Sequence, residues 1–184
     1  MNPPCQATRA AASSEAAAAR WGEFLGSLGA VRTICSIGCG PGCDAVGVSV
    51  FLQALEASTA PNCSLDDAIN EQQGRKRRVI LLDWVMQQWK ALVIFPLREI
   101  LSTRDVTVGM AECDVRKSLL TDPIHKEAQQ KLFSGYGTKY SAAAANSVDL
   151  FVISYLLSET RGQWQMFLDD IVSTSRPGTH FFID

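Results

Sequence analysis

Three short stretches of this chain combine residue types at spacings that suit contact with a nucleoside. The first is Thr33-Ile34-Cys35-Ser36-Ile37-Gly38-Cys39-Gly40-Pro41-Gly42-Cys43-Asp44, an apolar run that passes into Gly-x-Gly-x-Gly. Glycines suit such a loop because the turn is tight and a ligand must approach the backbone closely. A helix beginning there adds free N–H groups and positive potential. The same pattern also serves as a plain turn between strand and helix. The second stretch is Val79-Ile80-Leu81-Leu82-Asp83-Trp84. A carboxylate closing a strand can accept both ribose hydroxyls, and Trp84 is placed to lie against a flat base. Asp83 as a simple turn former is the alternative. The third is Glu112-Cys113-Asp114-Val115. An acid there can accept the exocyclic amine of adenine while a neighbouring backbone N–H meets a ring nitrogen. The dinucleotide pattern G-x-G-x-x-G puts its third small residue at Cys43, one place after Gly42. That spacing favours a ligand without a pyrophosphate.

These stretches need a scaffold, and the hydrophobic pattern supplies one. Residues 1–13 read as disordered. Ser14 caps a helix to about Leu28, with Trp21, Phe24, Leu25 and Leu28 on one apolar face. Val31 to Ile37, Val79 to Leu82, Val106 to Met110, Val148 to Tyr155 and His180 to Ile183 read as strands. Helices are predicted over Asp44 to Leu55, Val85 to Leu101 with a break at Pro96, Pro123 to Phe133 and Gln163 to Ser173. Strands that are solid apolar runs, alternating with helices, predict a parallel sheet covered on both faces: a doubly wound α/β fold.

Other features narrow the function. The 184 residues fit one domain, residues 14–184, with 47% hydrophobic and 20% charged residues. A net charge of −2 argues against generalised polyanion binding but leaves room for a local basic patch, so nucleic acid is a possible partner that is not indicated. No apolar run suits a membrane span and the N-terminus has no secretory core, so a cytoplasmic protein without a membrane partner is expected. Arg9 and Arg20 in an Ala- and Ser-rich N-terminus leave organelle targeting as a weaker alternative. Cys5, Cys35, Cys39, Cys43, Cys63 and Cys113 form no CxxC pair and read as free thiols. Cys35 in a strand and Cys39 in the glycine loop should not converge, so no metal site is expected. Arg75-Lys76-Arg77-Arg78 reads as a solvated loop, with a nuclear signal or an RNA contact as the weaker alternative. His125 and His180 sit where neither supports a histidine-based triad.

Taken together, residues from Trp21 to Asp184 resemble the class I, Rossmann-like, S-adenosylmethionine-dependent methyltransferase family. The resemblance implies that Gly38, Cys39, Gly40, Pro41 and Gly42 cradle the amino-acid part of S-adenosyl-L-methionine. It places ribose at Asp83 beside Trp84, and adenine at Asp114 and Val115. The fourth strand resembles the one that delivers residues beside the reactive methyl, which makes Ser154, Tyr155 and Glu159 the candidates there, Tyr155 and Glu159 as catalytic residues. The family has an acid two residues before the first glycine; here it is Ser36, so contact with the cofactor's amino group is weakened or rerouted. The family order 3-2-1-4-5 is expected, with strands 6 and 7 lacking after the fifth, as in a C-terminally incomplete domain. The implied activity is methyl transfer by in-line displacement to an acceptor that the sequence does not identify. A non-catalytic relative acting as a binding or interaction module is the alternative, and a nicotinamide-dependent oxidoreductase a weaker one. The Asn/Asp-Pro-Pro-Tyr signature of amino-group nucleic-acid methylases is absent at Ile153 to Leu156.

Overall fold

A computed structural model describes residues 5–59, 76–133, 146–154 and 160–183. Five strands form one parallel sheet in the order β3-β2-β1-β4-β5: β1 Thr33–Ile37, β2 Arg77–Asp83, β3 Val106–Glu112, β4 Leu150–Ile153 and β5 His180–Ile183. The helices are α1 Cys5–Gly29, α2 Cys43–Thr59, α3 Met86–Trp89, α4 Phe95–Ser102, α5 Lys126–Phe133 and α6 Gln165–Thr174. Among the described residues, no helix is long and apolar enough to cross a membrane.

The period of two along each strand sorts side chains onto two faces. Cys35, Ile37, Ile80, Leu82, Phe151 and Ile153 meet Leu132 of α5 and Phe167 and Ile171 of α6. Ile34, Val79, Leu81, Leu150 and Val152 meet Leu28, Leu52, Met86, Ile94 and Leu101 on the other face. The sheet is therefore doubly wound, as the unbroken apolar strands predict. Burying each such side chain stabilises the fold by roughly 1.5–3 kcal/mol.

Several boundaries differ from the expected ones. Helix α1 starts at Cys5 rather than Ser14, because alanine is the best helix former and Ser13-Ser14 is too weak an interruption. Its expected apolar face is only partly used: Leu28 is buried, whereas Trp21 is 61% and Phe24 43% exposed. Strand β2 begins at Arg77, so Arg77 and Arg78 of the basic run belong to the sheet rather than to a solvated loop, while Lys76 is exposed and Arg75 lies outside the described residues. Arg77 is buried, and its guanidinium lies 2.7 Å from Glu56, which also holds Arg32 at 2.8 Å. A carboxylate on α2 thus compensates a cation inside the sheet. Strand β4 is shorter than expected. Before it, the Asn146 side chain takes the Val148 N–H, and Asp149 Oδ2 takes the N–H groups of Arg32 and Thr33, so polar side chains hold this backbone. Pro96 sits at the start of α4, and a π-helical turn, Lys90–Ile94, joins α3 to it.

Strand register decides where the chemistry gathers. Ile37 is level with Leu82 on one side and Ile153 on the other, and Asp83 is level with Glu112. The carboxyl ends of β1 to β4 therefore finish together. The sheet grows in opposite directions from β1, which makes that end of β1 the topological switch point where doubly wound proteins bind ligands.

Candidate functional site

A cleft of roughly 670 Å³ opens at that switch point. Gly38, Cys39, Gly40 and Pro41 line it from the first loop, Asp83 and Trp84 from the second, and Cys113, Asp114 and Val115 from the third. Three sequence-distant signals thus share one wall-to-wall space.

The glycine loop is held from below. Gly38 N–H and Cys39 N–H both donate to the Leu82 carbonyl, at 2.9 and 3.3 Å. Gly42 N–H donates to Cys39 O at 2.7 Å. Gly40 N–H donates to Asp83 Oδ2 at 2.8 Å, while Asp83 Oδ1 accepts from Val85 N–H at 2.9 Å. Asp83 is therefore not a solvent-facing strand end. It is 9% exposed and ties the glycine loop to β2, although each oxygen keeps a lone pair for a further donor. With those loop N–H groups engaged, the next N–H groups without a partner among the described residues are those of Cys43, Asp44 and Ala45, at the start of α2.

Two glycines differ in what they allow. Gly40, at φ +49°, has open space where a Cβ would project. Gly42, at φ +86°, is packed: a Cβ there would lie 3.3 Å from Leu81 Cδ1 and from Leu97 Cδ2. Gly42 is thus a packing glycine behind the loop. Ser36 lies deeper still, wholly buried in β1, and its hydroxyl has no hydrogen-bond partner. Ser154 is buried at the end of β4, outside the cleft lining. Tyr155 and Glu159 fall outside the described residues.

The third loop carries a feature not visible in the sequence. Asp114 forms a two-pronged pair with Arg116, Nε to Oδ1 at 2.8 Å and Nη2 to Oδ2 at 3.0 Å. The same guanidinium lies 4.4 Å from the centre of the Trp84 ring. Burial alone would raise the Asp114 pKa; hydrogen bonds from the Arg116 side chain and backbone, with the charges of Arg116 and Lys117, outweigh it and hold the carboxyl below its ordinary value. Cation–π contact and ion pair together place Arg116 across a face of the Trp84 ring. Val115 N–H has no partner among the described residues.

Cys43, Asp44, Val85, Trp89, Arg116 and Thr160 complete the lining; Cys43 and Asp44 end the glycine motif, but none of the six was expected as a site residue from sequence. Asp44 was the most accessible of these to sequence reasoning, as an acid in the first turn of the helix after the loop. Trp89 Nε1–H is shut off from solvent without a partner, an unsatisfied donor that costs about 1–3 kcal/mol. The evenly spaced cysteines part company, as their positions imply: Cys35 packs on one face of the sheet, Cys39 on the other, and Cys43 is exposed.

Comparison of the chain with protein-family models, with curated proteins and with solved structures finds no match.

Proposed function

We propose that this chain is an S-adenosylmethionine-dependent methyltransferase whose cofactor occupies the cleft at the carboxyl end of β1. One observation carries the reading: the glycine loop, Asp83 with Trp84, and Asp114 with Val115 line a single space of about 670 Å³. That volume lies within the roughly 300–1,000 Å³ common for small-molecule sites.

Charge favours this cofactor over a dinucleotide. Asp44, Asp83 and Asp114 line the cleft, against the single guanidinium of Arg116 among the described residues. A pyrophosphate would meet carboxylates near a loop whose N–H groups are largely engaged, and like-charge juxtaposition costs several kcal/mol. A nucleoside bearing a sulfonium and an ammonium is instead attracted. When bound, that sulfonium would supply an electrophilic methyl group: an acceptor's lone pair would form the new bond to the methyl carbon in line as the carbon–sulfur bond breaks, with the neutral thioether S-adenosylhomocysteine as the leaving group. The chain's own task is to hold the nucleoside and align the acceptor at about 3–3.5 Å. Asp83 accepts the ribose hydroxyls, and Asp114 and Val115 meet the base. Gly40, with nothing over its α-carbon, lets the amino-acid part lie against the loop. Acceptor alignment falls to the segment after β4, where Tyr155 and Glu159 remain the proposed catalytic residues.

A non-catalytic relative is the second reading. Arg116 supports it, because a base must share or displace a guanidinium that already engages Asp114 and Trp84.

Cys43 gives a direct footprint. Its thiol is exposed at the rim of the cleft, whereas burial, reinforced by nearby ionisable groups, raises the pKa values of Cys35, Cys39 and Cys113 and keeps them as thiols. Maleimide labelling of the folded protein, read by peptide mass spectrometry, is expected to modify Cys43 ahead of those three. Saturating S-adenosylhomocysteine should slow Cys43 labelling at least about fivefold, since a ligand on the loop covers the rim. Unchanged Cys43 labelling at saturation would place the ligand elsewhere.

A further inference from the structure

His125 is wholly buried behind the base end of the cleft. Asp122 Oδ1 accepts from Ile124 N–H at 3.0 Å and starts the short 3₁₀ turn Pro123–His125, which aims the imidazole at the loop after β3. Nε2 lies 3.0 Å from the N–H of Asp114, and Nδ1 lies 2.8 Å from the carbonyl oxygen of Ser118. An amide N–H can only donate and a carbonyl can only accept. The neutral ring with its proton on Nδ1 is the form that satisfies both. Phe167 meets the ring edge-on at 5.7 Å between centroids and limits its rotation. Neighbours secure the rest of the loop: Asp170 Oδ2 accepts from Ser118 Oγ at 2.6 Å, and Gln129 Nε2 donates to Leu119 O at 2.7 Å.

The consequence is a fixed direction for each polar group. Asp114 N–H is drawn inward by His125, so the next donor along the chain, Val115 N–H, is the one left without a partner at the cleft wall. We propose that His125 is a positioning residue that sets which hydrogen-bonding edge the cleft presents: an acceptor at Asp114 beside a donor at Val115. This rests on the nucleoside reading above. Adenine matches that edge with its exocyclic amine as donor and its adjacent ring nitrogen as acceptor. Hypoxanthine presents the reverse, a carbonyl beside a ring N–H. A leucine at position 125 strands Asp114 N–H and Ser118 O and frees the loop to turn. A glutamine carries one acceptor and one donor and can replace both contacts.

The test is calorimetry of the full chain with S-adenosylhomocysteine and with S-inosylhomocysteine, for the wild type, His125→Leu and His125→Gln. The wild type should prefer the adenosyl ligand at least about tenfold, or ~1.4 kcal/mol. His125→Leu should lose most of that preference, and His125→Gln should keep it. A folded His125→Leu protein with an unchanged preference overturns the proposal. Nitrogen-15 NMR of the ligand-free wild type tests it without relying on any variant's folding. Coupling between the Asp114 amide and an unprotonated His125 Nε2 is expected, and a ring protonated on Nε2 would overturn it. A wild type that binds neither ligand refutes the methyltransferase reading instead, and the NMR result then decides the His125 clamp alone.

Discussion

Asp83→Ala is expected to weaken S-adenosylhomocysteine binding by at least about tenfold, because hydrogen bonds to a charged group contribute ~1.5–3 kcal/mol and one decade of affinity is ~1.4 kcal/mol. The carboxylate has a second task, since it also holds Gly40 N–H at 2.8 Å and Val85 N–H at 2.9 Å. Its loss should therefore lower folding stability by about 1–3 kcal/mol in urea denaturation. A ligand without ribose separates the two tasks. Free methionine should lose no more than about threefold through the loosened loop, an allowance of under 1 kcal/mol for the loop contact alone. Asp83→Asn keeps one acceptor oxygen and should fall between wild type and alanine for both measurements. Equal losses for both ligands would mean that Asp83 acts only by fixing the loop. No loss for either would remove it from the site.

Valine at Gly40 and valine at Gly42 should fail in different ways. Both glycines have positive φ, so both substitutions carry backbone strain, on the order of 1–3 kcal/mol. Gly40→Val projects into open space above the loop. It should fold, with near-native far-UV dichroism, yet show no S-adenosylhomocysteine binding. Gly42→Val drives its branches towards Leu81 and Leu97, already 3.3 Å from the first added carbon. Overpacking of that kind adds roughly 1–3 kcal/mol to the strain, so this variant should lose stability measurably by thermal denaturation. Normal ligand affinity in Gly40→Val would show that the loop is only a structural turn. A Gly42→Val protein as stable as wild type would contradict the packing described for Gly42 against Leu81 and Leu97.

The scaffold was legible because parallel strands buried on both faces must be apolar throughout. Leu81 and Leu82 belong to opposite faces yet are equally buried, and only a two-sided sheet asks for that. Asp83 and Asp114 could be placed near the glycine loop because register brings the strand ends level. What stayed hidden depends on contacts that no local pattern records. Arg77 reads as a solvated cation until Glu56, on a different element, is brought beside it. Trp21 and Phe24 have helical spacing, but spacing does not say whether a partner covers the face. Arg116 over Trp84 joins residues from two loops, and His125 reaches Asp114 only because a short turn folds back beneath β3. Ser36 marks a chemical difference in the sequence, but only the fold puts its hydroxyl wholly inside the sheet, away from the cleft lining.

We propose that the cleft takes a cationic adenosyl nucleoside and rejects a dinucleotide. Isothermal calorimetry of the full chain with S-adenosylmethionine and, separately, with NAD tests it most directly. One S-adenosylmethionine site per chain is expected, with an NAD affinity weaker by at least about a hundredfold, ~2.8 kcal/mol. Binding of NAD as tightly as S-adenosylmethionine, or no heat with S-adenosylmethionine at all, would contradict it.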